Sequence, residues 1–69
     1  MSEQKSLAQA LPEEQARVRE LLADYKALGP VGQFGAIMIE RDLAAADVAV
    51  MSGDIAAMIR AYETLKGCQ

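Results

Sequence analysis

Residues 29–53 read GPVGQFGAIMIERDLAAADVAVMSG, and how this stretch winds decides the fold. Glycines open it and a glycine closes it, with a long, mostly apolar segment between them. Placed on a helix at about 100° per residue, the segment carries two apolar stripes rather than one. Phe34, Ile37, Met38, Ala45 and Val48 share one face, and Ile39, Leu43, Ala46 and Val50 share a second. Glu40 and Asp47 mark a narrow polar seam. An ordinary surface helix has one apolar stripe and a broad wet face. This helix therefore needs cover on more than one side.

The segments on either side are single-stripe helices. C-terminal to the stretch, Ser52-Gly53-Asp54 is a short turn in which Gly53 suits the left-handed conformation and Asp54 or Ser52 caps the next helix. Ile55, Met58, Ile59, Tyr62 and Leu65 then recur at i, i+3, i+4, i+7 and i+10, which predicts a helix over about 54–66. Lys66 complements its C-terminal dipole and Gly67 stops it. N-terminal to the stretch, Val18, Leu21, Leu22, Tyr25 and Leu28 follow the same template. Pro12 suits the first helical position, and Glu13 and Glu14 place negative charge in the first turn, with Glu13 able to pair with Arg17. The spacing predicts helices at about 12–28 and 32–51. Residues 1–11 are a flexible or short helical arm, although Ser6 and Gln9 have capping-box spacing. Residues 12–67 form one domain, and 68–69 are a tail.

Gly29, Gly32 and Gly35 recur every third residue in GPVGQFG. A phosphate-cradling loop needs a preceding strand, and its P-loop form needs Lys and Ser/Thr after the last glycine. Ala36 and Ile37 stand in those places, so the motif is a tight helix–helix turn with Gly35 permitting close backbone approach. The architecture expected is all-α, a three-helix antiparallel bundle, because such short links leave antiparallel neighbours.

Composition limits what such a domain can be. The chain has 69 residues, 52% hydrophobic but only 4% aromatic, with a net charge of −3. A core this small is marginal alone and usually needs disulfides, a metal or a partner chain. A single Cys68 and no His remove the first two, with no cofactor implied, so oligomerisation remains. The acidic balance opposes a general phosphate-binding surface and makes nucleic acid an unfavoured partner. Glu40, Arg41 and Asp42 interrupt the apolar run, which excludes a bilayer span. No charged leader precedes an apolar run, and the expected location is the cytoplasm.

Catalysis needs a nucleophile, an acid or base, and a group that stabilises developing charge. Ser2, Ser6, Ser52 and Thr64 have no base of the usual kind near them in the pattern. Glu40 and Asp47 could share a cation but read better as a solvated seam. Arg41 could anchor an anion, yet reads better with its methylenes on apolar surface and a carboxylate at the edge. Cys68 reads as an exposed tail thiol prone to adventitious cross-linking. No catalytic, cofactor or metal residue emerges, and the expectation is a non-enzyme.

The segment SGDIAAMIRAYETLKG, residues 52–67, resembles the second half of a tetratricopeptide unit, in which a Gly-Asp turn opens a helix bearing a Tyr. Asp42, Ala45, Ala46 and Ala49 stand where that family has a large aromatic and a Leu-Gly pair, so only the helix–turn–helix geometry is implied. Residues 17–68, with VRELLADYKALGPVGQFGAIMIERDL and SGDIAAMIRAYETLKGC, resemble small uncharacterised helical proteins encoded in proteobacterial prophage regions. That resemblance implies a phage-derived setting and no activity.

Two functional readings compete. The first is a homo-oligomeric assembly or adaptor protein. The second is a nucleic-acid-binding regulator of helix-turn-helix type, which wants exposed Arg, Lys, Asn or Gln on a recognition helix. The second helix offers Gln33 and Arg41, and the third Arg60, Thr64 and Lys66, so the first reading is preferred. The Phe34/Ile37/Met38/Val48 face is larger and carries the aromatic, which assigns it to the internal core. Ile39, Leu43, Ala46 and Val50 are then left as the seam of a homodimer.

Overall fold

The computed structural model describes residues 6–69, and among them the chain is three α-helices with no strand. Helix α1 spans Leu7–Ala27, α2 spans Pro30–Ser52 and α3 spans Ile55–Lys66. The first five residues of the expected arm lie outside the described residues. Ion pairs fix the directions. Lys26 pairs with Glu40 at 2.9 Å and Arg19 with Asp47 at 3.0 Å, so residues climbing α2 meet residues descending α1. Arg17 of α1 donates to the Leu65 carbonyl at 2.8 Å, which lays α3 alongside α1 in an up-down-up bundle.

Helix α1 does not start at Pro12. It starts five residues earlier and runs through the proline, with Ser6 as N-cap. The Ser6 carbonyl accepts from Ala10 and Gln9, but its hydroxyl makes no capping bond. Proline inside a helix removes one backbone bond and costs about 3 kcal/mol. Leu11 is fully buried and Leu7 packs partly against the core. Burying a Leu contributes about 1.5–3 kcal/mol, so the two together offset the proline. Arg17 pairs with Glu14 at 3.0 Å rather than with Glu13 as the spacing suggested.

The core holds five large side chains, Leu11, Val18, Ile39, Leu43 and Leu65, with Ala36, Ala46, Ala49 and Ala61 between them. Gln15 is buried in the α1–α2 seam and donates to Asp47 Oδ1 at 2.7 Å. The two stripes of α2 are exchanged relative to expectation. Ile39, Leu43 and Ala46 lie inside the monomer, and Val50 is 40% exposed, whereas Phe34, Ile37, Met38 and Val48 face outward. The physical reason is at the turn. A Cβ on Gly32 would stand 2.2 Å from the Tyr25 carbonyl oxygen, and one on Gly35 would meet the Tyr25 ring at 2.5 Å. The glycine edge of α2 must therefore press on α1. Gly32, Ala36, Ile39, Leu43 and Ala46 recur at alternating steps of four and three, so that edge carries most of the second stripe in with it, while at its end Ala49 is buried in place of Val50.

The remaining turns behave as their chemistry requires. Gly29 follows the Leu28 cap with φ 71°, and Pro30 takes the first position of α2. Gly53 closes α2 with φ 72°, and Asp54 accepts from the Ala57 amide at 3.3 Å to cap α3. In α3, Ala61 and Leu65 form the buried side, while Ile55 and Ile59 of the anticipated stripe stay exposed.

Candidate interaction surface

Turning the glycine edge inward turns the bulky edge of α2 outward. Phe34 is 76% exposed and Val48 65%, with Val31 and Ile37 also exposed and Met38 at the exposed margin. Val31, Phe34, Met38, Arg41, Ala45, Val48 and Ser52 recur at alternating steps of three and four along this outer face. That is the heptad spacing of a helix–helix seam, repeated on the side of α2 that no other helix covers.

Arg41 sits in the middle of this stripe. It is exposed, and among the described residues it makes neither a hydrogen bond nor an ion pair. The carboxylate partner expected for it is therefore missing, because the seam carboxylates are taken by α1. Glu40 is held by Lys26, and Asp47 by Arg19 and Gln15. These two carboxylates bind separate cations of α1 rather than one shared ion. No group of three or more His, Cys, Asp or Glu side chains that could hold a metal ion occurs among the described residues.

Beside the stripe, α2 and α3 leave an open groove of about 510 Å³. Ala45, Val48, Ala49, Ala57 and Ala61 line its floor and walls, with Asp42, Asp54 and Arg60 among its polar residues. The groove is wide because its walls are alanines, whose methyl groups fill little of the space between two helices. A smaller recess of about 310 Å³ lies at the α1–α2 turn against Lys26, Gly29, Ile37 and Glu40.

Cys68 is a free thiol, but half-buried rather than on a loose tail. It packs partly against the core, with Sγ 3.7 Å from Asp42 Oδ2 and 3.7 Å from the Thr64 carbonyl. Burial first, and then the Asp42 carboxylate, push its pKa above the ordinary 9.0. A protonated thiol is a poor nucleophile, so this environment opposes reactivity at neutral pH.

No helix of the described residues is long and apolar enough to cross a membrane. Comparison with protein-family models, with curated proteins and with solved structures finds no match to this chain. What sequence reasoning missed was which stripe faces in, and the signal was present. Gly32 falls on the Ile39/Leu43/Ala46 edge, and a helix presents glycine where another backbone comes closest.

Proposed function

We propose that this protein is a non-enzymatic, homo-oligomeric assembly or adaptor protein whose working surface is the outer face of α2. One observation carries the reading. Ten large hydrophobic side chains are exposed among the described residues, and five of them, Val31, Phe34, Ile37, Met38 and Val48, lie on the outer side of α2. Scattered exposed leucines need no explanation, but large apolar side chains gathered along one face of a helix mark an interaction site. The helix-turn-helix alternative has no comparable support, since Arg41 and Arg60 are isolated cations beside Asp42 and Asp54.

Sedimentation equilibrium across the micromolar range tests the reading. A mass above that of one chain, rising with concentration, is expected. A folded monomer throughout would overturn it. Electrophoretic retardation of random duplex DNA at low salt should show no complex, and a shifted band there would favour the nucleic-acid regulator instead.

A further inference from the structure

The outer stripe of α2 is uneven along its length, and the unevenness says what covers it. Its N-terminal half carries the bulk, Phe34, Ile37 and Met38, and its C-terminal half is leaner, with Val48 its one large side chain and Ala45 and Ala49 lining the alanine-walled groove. A surface that is convex at one end and concave at the other matches itself when reversed. We propose that the occupant is a second copy of this chain, its α2 packed antiparallel on the first, so that Phe34 of each copy enters the α2–α3 groove of the other.

The heptad spacing sets the register. Antiparallel seams pair alternate positions, and the pairing that places Phe34 against the partner's Ala45 also places Val31 against Val48 and Met38 against Arg41. The two-fold axis then falls between Ile39 and Glu40. In this register the two Arg41 side chains do not face each other. Each lays its methylenes on the partner's Met38 and reaches the partner's Asp42 one turn further on. The groove's 510 Å³ is ample for a phenyl ring, and an aromatic ring buries about 150–250 Å², the kind of anchor that dominates small interfaces. A polar residue at one seam position fixes register at a cost in stability, which gives unpartnered Arg41 a role. This inference rests on the reading of α2 as a self-associating surface and adds its orientation.

Disulfide trapping separates the two. In a Cys68→Ser background, Phe34→Cys and Ala45→Cys chains are oxidised alone and mixed, with helicity checked by circular dichroism. Both positions are outward, so neither change touches the monomer core. Mixed chains should link covalently, while neither alone should, because like positions lie about 16 Å apart along the axis in an antiparallel pair and a disulfide spans only about 4.4–6.8 Å between Cα atoms. Self-linking of Phe34→Cys would mean a parallel pair and overturn the proposal. Absence of linking in chains that still sediment as dimers would also overturn it, placing the seam elsewhere while the association stands. A wild-type monomer at every concentration removes both. Independently, Arg41→Asp should raise the dimer dissociation constant roughly tenfold or more, and Arg41→Asp with Asp42→Arg should recover most of that loss. No recovery would overturn the register.

Discussion

Gly32 and Gly35 look alike in sequence and differ in what surrounds them. A methyl on Gly32 would run into the Tyr25 backbone, which cannot move without shifting α1. A methyl on Gly35 would meet the edge of the Tyr25 ring, a side chain that packs against the core and donates its hydroxyl to the Gln69 carbonyl, so relief requires a side chain rather than a backbone to move. Replacing a helical glycine by alanine ordinarily gains about 0.5–1 kcal/mol. Gly32→Ala should instead destabilise by about 1–3 kcal/mol as overpacking, and Gly35→Ala should also destabilise but by less, both measured by urea denaturation. Cys68 gives a second expectation. Its folded pKa is raised, so its contribution to stability is complete below about pH 9 and is lost as pH rises through the folded value. Denaturation midpoints should fall more steeply above pH 9 for the wild type than for Cys68→Ala. Asp42→Asn should lower the thiol's pKa and speed its alkylation at pH 8.

Helix α2 buries the opposite edge from the one its bulk suggests, while α3 keeps Met58, Tyr62 and Leu65 of its stripe against the core and leaves Ile55 and Ile59 outside. Three helices, their approximate ends and both capping glycines were readable, because periodicity and turn chemistry are local. The start of α1 was not, since Leu11 is held by contacts from elsewhere in the chain that outweigh Pro12. The face of α2 was not, because hydrophobic weight favours Phe34 and Met38 while close approach favours Ala36 and Ala46. Backbone proximity wins here, and the expected interface residues Ile39, Leu43 and Ala46 become core. Leu43→Ala should accordingly cost about 2–5 kcal/mol in chemical denaturation, and Leu43→Glu should unfold the chain rather than merely dissociate it. Phe34→Ser should leave the isolated monomer's stability within about 0.5 kcal/mol. Asp54→Ala should cost about 1 kcal/mol through the lost cap on α3.

At the scale of the whole molecule, slim inner faces bring three helices together at the expense of burying bulk. Among the described residues Leu21, Leu22, Tyr25, Met58 and Tyr62 are only partly buried against the core, and ten large apolar side chains stay outside it. If a second copy covers them, unfolding becomes linked to association, and the thermal midpoint should climb with protein concentration. A midpoint independent of concentration over two decades would count against that coupling.

The glycine contact between α1 and α2 also has a kinetic meaning. Two residues, Leu28 and Gly29, separate these helices, so the contacts that Gly32 and Tyr25 make close a very short loop. Contacts near in sequence form early and cheaply, before distant ones reward the chain for its lost entropy. The α1–α2 hairpin should be the folding nucleus, with α3 docking afterwards as Arg17 takes up the carbonyls at its end. Stopped-flow refolding would then separate two kinds of variant. Gly32→Ala should slow folding, while Leu65→Ala should leave the folding rate nearly unchanged and hasten unfolding.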